Sequence, residues 1–226
     1  MKLTYHGHSV WEIETSGHRL IVDPFLTDNP SADVQVDDID KLDAILVTHG
    51  HGDHTADVTA LAKKTGALVV GNFEIANHFA AQGCTTHPLS IGGGHQFDFG
   101  YVKLTIAHHA SSGPNGEPLG DPAGIIFSAD GKKVYHAGDT GVFLDMQLIN
   151  ELNGPFDVAL LPIGDNFTMG VDDATKAAEF IDAKLTVPQH YNTWPLIEVD
   201  PATFVDRVKA GGREARAVKP GESIDV

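Results

Sequence analysis

The stretch "LDAILVTHGHGDH", residues 42–54, decides the reading of this chain. Its first part, "DAILVTH" (43–49), is a continuous apolar run, the pattern of a strand covered on both faces. Three histidines and an aspartate follow, interleaved with glycine. His49 and His51 are two residues apart, so in extended chain their side chains point the same way and reach one metal ion. Asp53 and His54 are adjacent where strand gives way to helix, and a sharp turn there aims both at a second site. Gly50 and Gly52 remove side chains where backbone must pass close to ions. Imidazole and carboxylate without thiolate suit zinc, manganese, iron or nickel.

Working outward, strands and helices alternate. "KLTYHG", "VWEIET" and "HRLIVDP" read as an opening meander, turned at Gly17. After the decisive strand, a helix from Thr55 carries Val58, Leu61 and Ala62 on one face and ends at Gly66. "ALVVG" (67–71) is a strand, and Asn72 caps a helix bearing Ile75, Ala76 and Phe79. "THPLSI", "HQFDF" and "YVKLTIAHH" are further strands, and the Gly- and Pro-rich segment 110–122 is a connection. The second half repeats the order. "GIIFSAD" and "KKVYHAGD" form a hairpin at Asp130-Gly131, and Phe143, Met146, Ile149 and Leu152 mark an amphipathic helix. "FDVALLPI" (156–163) is a buried strand, Asp172 is placed to cap the next helix, "LTVPQHY" (185–191) is a strand, and Asp200-Pro201 opens a last helix. No linker divides the halves. A single α/β domain over 1–226 is expected, a four-layer αββα sandwich of two packed sheets with helices outside.

Composition narrows the function classes. The chain has 15 Lys+Arg against 31 Asp+Glu, a formal charge of −16, and no basic run. That opposes nucleic-acid binding. The single cysteine, Cys84, allows no intrachain disulfide and fits a reducing compartment. The opening "MKLTYHGHSVWEIE" resembles no targeting segment, and no apolar stretch approaches the ~18 residues of a membrane span. A cytoplasmic enzyme acting on a small-molecule substrate is expected, with homo-oligomerisation left open.

Other strand ends supply further ligands. "TIAHHASSG" ends on His108 and His109, "VYHAGDT" on Asp139 and "VPQHYNTWP" on His190. Site one is then His49, His51 and one of His108 or His109. Site two is Asp53, His54 and His190, with Asp139 between the two, all at C-terminal strand ends where sheet proteins build sites.

This arrangement resembles the metallo-β-lactamase superfamily, whose motif H-x-H-x-D-H is followed by separate His, Asp and His. It is similar, more narrowly, to bacterial and archaeal metal-dependent hydrolases of undefined substrate. The chain shares their "YHGHSVW" (5–11), "HASS" (109–112), "GDNFTMG" (164–170) and "HYNTWP" (190–195). The resemblance implies that His109 is the ligand and His108 its neighbour. It also implies that Asp23, in "LIVDP", is an outer carboxylate that orients a ligand histidine.

His8, in the "GHS" segment, either lines the site or bonds backbone near the sheet end. Asn166, Thr168 and Met169, and Asn192 and Thr193 after His190, are candidates for substrate contact or simply for holding their own loops. His6, His18, His78, His87, His95 and His136 read as surface or core residues, and Cys84 as a packed thiol.

The chemistry expected is hydrolysis of an ester, lactone, amide or phosphoester by hydroxide bridging two divalent metals, zinc foremost. Asp53 is placed to orient that nucleophile and move its proton. Two rival readings stand beside it. An iron-dependent redox enzyme is one, although the flavin-linked branch of the superfamily has Glu where this chain has His51 and 226 residues leave no room for a flavin domain. A non-catalytic metal-binding module is the other, although no ligand is lost.

Overall fold

The computed structural model describes all 226 residues. The first sheet opens with an antiparallel meander, β1 (Lys2–Tyr5), β2 (Trp11–Thr15) and β3 (His18–Val22), and adds β4 (Ala44–Leu46), β5 (Leu68–Asn72) and β6 (Thr86–Leu89) in parallel. The second sheet repeats the plan. A meander of β7 (Gly94–Phe97), β8 (Gly100–Ile106), β9 (Ala123–Ala129) and β10 (Lys132–His136) is extended in parallel by β11 (Val158–Pro162) and β12 (Leu185–Gln189). A last strand, β13 (Ser223–Asp225), returns to pair antiparallel with β1. The sequence reading does not include it, because three residues with one apolar side chain carry no periodicity.

Three apolar layers hold the sandwich together. Between the sheets, Leu3, Trp11, Ile13, Leu20, Leu46 and Val70 meet Val102, Leu104, Ile125, Phe127, Val134 and Leu160. Outside the first sheet, α2 (Val58–Thr65) and α3 (Phe73–Ala81) bury Val58, Leu61, Ile75 and Phe79 against Ile21, Ile45 and Val69. Outside the second, α4 (Asp145–Asn153), α5 (Val171–Ile181) and α6 (Pro201–Ala210) bury Met146, Ile149, Ala177, Ile181 and Phe204 against Ile126, Tyr135, Ala159 and Leu161. The architecture is the expected αββα sandwich.

Local differences have identifiable causes. The strand expected over 43–49 is regular only to Leu46, because the Thr48 N–H leaves the ladder to donate to Asp23 Oδ1 at 2.8 Å. The helix expected from Thr55 is two pieces, a single turn α1 (Gly52–Thr55) and then α2. Between them Asp57 accepts from Leu26 N, Thr27 N and Thr27 Oγ1 at 2.6–2.9 Å, pinning the loop after β3. Helix α5 starts on Gly170, and Asp172 lies in its first turn and pairs with Arg207 instead of capping. Leu152 is 70% exposed. A step of three residues advances only 300° around a helix, so a series of such steps drifts off the buried face.

Candidate metal centre

Four chain turns converge on one edge of the sandwich. The turn after β4 and the single turn α1 bring His49, His51, Asp53 and His54. The ends of β8, β10 and β12 bring His109, Asp139 and His190. The last three strands run the same way, because β8 and β10 both pair antiparallel with β9 and β12 extends β10 and β11 in parallel.

The structure gathers the seven residues into two groups. The ligand nitrogens of His49, His51 and His109 lie within 4.8 Å of one another. Those of His54 and His190 form a second cluster with Asp53, and His8 joins it. Asp139 stands between the groups: Oδ2 is 4.0 Å from His49 Nε2, 3.6 Å from His109 Nε2 and 3.0 Å from His190 Nε2, and Oδ1 is 3.4 Å from His54 Nε2. His108 stays out, its ring stacked on Phe143 with centroids 4.5 Å apart. His136 is also outside, held by Ser9 O and Gly138 N beneath the sheet end.

The hydrogen bonds around the cluster set its tautomers. Asp23 is fully buried; its Oδ2 accepts from His54 Nδ1 at 2.8 Å and from Thr48 Oγ1 at 2.6 Å. Thr48 Oγ1, having donated its proton to Asp23, accepts from His49 Nδ1 at 3.0 Å. One carboxylate therefore places a proton on Nδ1 of two histidines, one from each group, and leaves both Nε2 atoms on the Asp139 side. His8 is fully buried, with Nδ1 2.8 Å from Thr193 Oγ1 and Nε2 3.2 Å from Asp53 Oδ2. Its ring packs on His190 at 4.1 Å between centroids, and His190 N donates to His8 O at 2.7 Å. His8, Asp23 and His190 all adopt left-handed backbone, with φ of 55°, 47° and 54°. Such conformations cost of order 1–3 kcal/mol each and persist where the surroundings over-determine them.

The donor set suits cations. His54 Nε2, Asp139 Oδ1 and His190 Nε2 are buried and have no hydrogen-bond partner. Orphaned buried polar atoms of this kind are costly unless an ion satisfies them. Electrostatics agree. Burial works against ionisation of Asp139, yet His190 and His54 hold its carboxyl well below the usual range. Burial, aided by His54, drives His49 well below the ordinary imidazole value. Burial likewise disfavours charge on His54, but Asp139, Asp23 and Asp53 outweigh it and raise its pKa. Burial and His190 bring His8 down to about 4, so it is neutral at pH 7.

A cleft of about 430 Å³ opens above the cluster, lined by His51, Asp53, His109, Asp139 and His190 and by Phe167, Trp194 and Leu196. Of the five loop residues considered from sequence, three are tied into the structure and two lie in a tight turn. Met169 is buried, and its N–H donates to Thr140 O at 3.1 Å. Asn166 and Thr168 belong to the same tight turn, in which Asp165 and Thr168 N–H groups bond within the loop. Asn192 Oδ1 accepts from Val199 N at 2.7 Å, closing its own loop, and Thr193 holds His8. The apolar residues beside them were not singled out from sequence, because an exposed Phe or Leu in a polar loop carries no pattern.

Imidazoles and carboxylates buried together at this edge of a four-layer sandwich define a metallohydrolase of the metallo-β-lactamase type. Comparison with known proteins agrees. The model of the β-lactamase superfamily domain matches residues 18–191. A UPF0173 metal-dependent hydrolase from Geobacillus sp. (strain WCH70) is 55% identical, with both chains covered in full. One from Bacillus cereus (strain AH187) is 54% identical over 99% of each chain. Among solved structures, Igni18, a metallo hydrolase from Ignicoccus hospitalis KIN4/I, superposes with a TM-score of 0.91 at 38% identity, over 99% of this chain and 97% of that one. The chain belongs to the β-lactamase superfamily and, within it, to the UPF0173 metal-dependent hydrolases. No helix is long and apolar enough to cross a membrane.

Proposed function

We propose that this hydrolase cleaves an ester, lactone, amide or phosphoester of a small molecule at a dinuclear centre. His49, His51 and His109 would hold one divalent cation, and Asp53, His54 and His190 the other. Asp139 would be shared between them. The observation that carries this reading is the position of the Asp139 carboxylate, 3.0–4.0 Å from imidazole nitrogens of both groups. Zinc, manganese, iron and nickel all accept such donors. When bound, a cation pair of this type polarises the substrate and brings the pKa of water to about 7.

The chain's own residues supply the rest. Asp23 fixes the tautomers of His54 and, through Thr48, of His49. Asp53 lies at the cleft floor with its side chain 27% exposed, within hydrogen-bond reach of His8. Burial opposes its ionisation, but His54 and His8 keep it ionised, so its carboxylate is an acceptor placed to orient the attacking water. No Ser or Cys lines the cleft, which fits water as the nucleophile.

Elemental analysis of protein purified without added metal, followed by lactone, ester, amide and phosphodiester substrates on the same preparation, tests the proposal. Two cations per chain and hydrolysis of one class are expected. The His49→Ala and Asp139→Ala variants should each lose metal and activity together. Full metal content and full rate in both variants would refute the assignment.

A further inference from the structure

The cleft joins two properties that together name a substrate class. Its rim is apolar. Phe167 is 52% exposed and Leu196 67% exposed, on separate loops, with half-buried Trp194 between them and the metal-site histidines. Large apolar side chains exposed beside a catalytic cleft commonly mark a binding surface.

Both tips are rigidly presented. The Phe167 loop carries two left-handed residues, Asp165 and Asn166 with φ of 60° and 49°, and is tied down by Asp165 N to Met169 O at 3.0 Å and Met169 N to Thr140 O at 3.1 Å. The Leu196 turn is closed by Asn192 N to Ile197 O at 2.8 Å and by buried Ile197. Trp194 is packed on His8 and Phe25, with ring centroids 5.0 and 6.0 Å away. Holding apolar groups in water on strained, over-determined loops costs stability, and a ligand that covers them would recover part of it.

The second property is charge. All 15 Lys and Arg lie outside segments 20–40, 42–62, 104–131, 134–175 and 185–206, which supply every residue of the cleft. The apolar tips are instead flanked by exposed carboxylates, Asp165 two residues before Phe167 and Glu198 two after Leu196. A phosphate or carboxylate away from the scissile bond would find no counter-charge there. It would also meet the field of a protein at −16.

We propose that the substrate is uncharged outside the bond that is cleaved, and that its apolar acyl or aryl group lies against Phe167, Trp194 and Leu196. This rests on the hydrolytic reading above and narrows it to neutral, hydrophobic esters, lactones or amides.

Two measurements on the zinc-loaded protein test it. The first is turnover of 4-nitrophenyl acetate, butyrate and hexanoate, with mono-4-nitrophenyl adipate as the carboxylated match to hexanoate. A fully buried methylene is worth about fourfold. Across four methylenes kcat/KM should rise at least about tenfold, and the adipate should fall at least about tenfold below the hexanoate. Phe167→Ala and Leu196→Ala should lower the hexanoate-to-acetate ratio. Leu148→Ala, an exposed leucine on α4 outside the cleft, should not.

The second is binding itself, followed by tryptophan fluorescence on mixing, before turnover. Trp194 lines the cleft, and the other tryptophan, Trp11, is fully buried. Hexanamide should perturb the emission, and adipamate, its carboxylated match, should not at the same concentration. A flat chain-length series, an adipate as fast as the hexanoate, or equal binding of the two amides would overturn the proposal. If no substrate of any class is turned over, the hydrolytic reading fails, and the amide pair still decides the question of charge and apolar contact.

Discussion

Replacing Asp23 by asparagine keeps the side chain's shape and removes one acceptor. In the native chain Oδ1 accepts from Thr48 N, while Oδ2 accepts from Thr48 Oγ1 and His54 Nδ1, all at 2.6–2.8 Å in a fully buried setting. An amide nitrogen at the Oδ2 position would face two donors. Flipped, it would face the Thr48 N–H. Either orientation opposes donor to donor, at a cost of roughly 1–3 kcal/mol per unmet buried group. The stabilised Nδ1–H tautomers are lost with it, directly at His54 and at one remove at His49. Losing such an outer partner typically costs 10–100-fold in metal affinity. On the two-cation proposal, the expectation for Asp23→Asn is a loss of about 10–100-fold in zinc affinity at the site containing His54, and a smaller loss at the site containing His49. Competition with a chromophoric chelator resolves the two affinities, and circular dichroism checks that the variant is folded. A folded variant with both affinities unchanged, or with the larger loss at the His49 site, would show that Asp23 does not set the ligand tautomers.

Further outcomes follow from the same geometry. Gly7→Ala should destabilise the fold by at least about 1–3 kcal/mol in urea unfolding, because Gly7 sits at φ 92° and an added Cβ would lie 2.7 Å from Ser31 O. Phe156→Ala should cost about 3–5 kcal/mol, since its ring is fully buried between the second sheet and its helices. Glu12 gives a pH dependence. Burial opposes its charge, but His6 and Arg19 outweigh burial and hold its carboxyl below the usual 4.5. A depressed carboxylate contributes stability that is present above the unfolded value and lost as pH falls through the folded one. Glu12→Gln should therefore lower stability at neutral pH and flatten the loss that wild type shows below about pH 4.5; parallel acid-unfolding curves would count against it.

The seven candidate ligands stand out in the sequence because their chemistry is concentrated. Four of them lie in six residues after one apolar run, and the others end strands whose own patterns are plain. Direction was harder to read. His8 enters the cluster because Gly7 and His8 both adopt positive φ, which swings the imidazole inward, and no pattern of residue types encodes that swing. The substrate wall was harder still. Polar residues in loops look functional, so Asn166, Thr168, Asn192 and Thr193 drew attention. Yet short loops with left-handed residues must satisfy their own backbone first. Asn192 is used in that way, bonding Val199 N across its own turn, and Thr193 is taken by His8. What those loops make possible is the fixed display of Phe167, Trp194 and Leu196 beside the candidate ligands. Polar side chains build the frame, and Phe167, Leu196 and the indole of Trp194 face the cleft, so on this edge of the fold the residues that would discriminate between substrates are largely apolar.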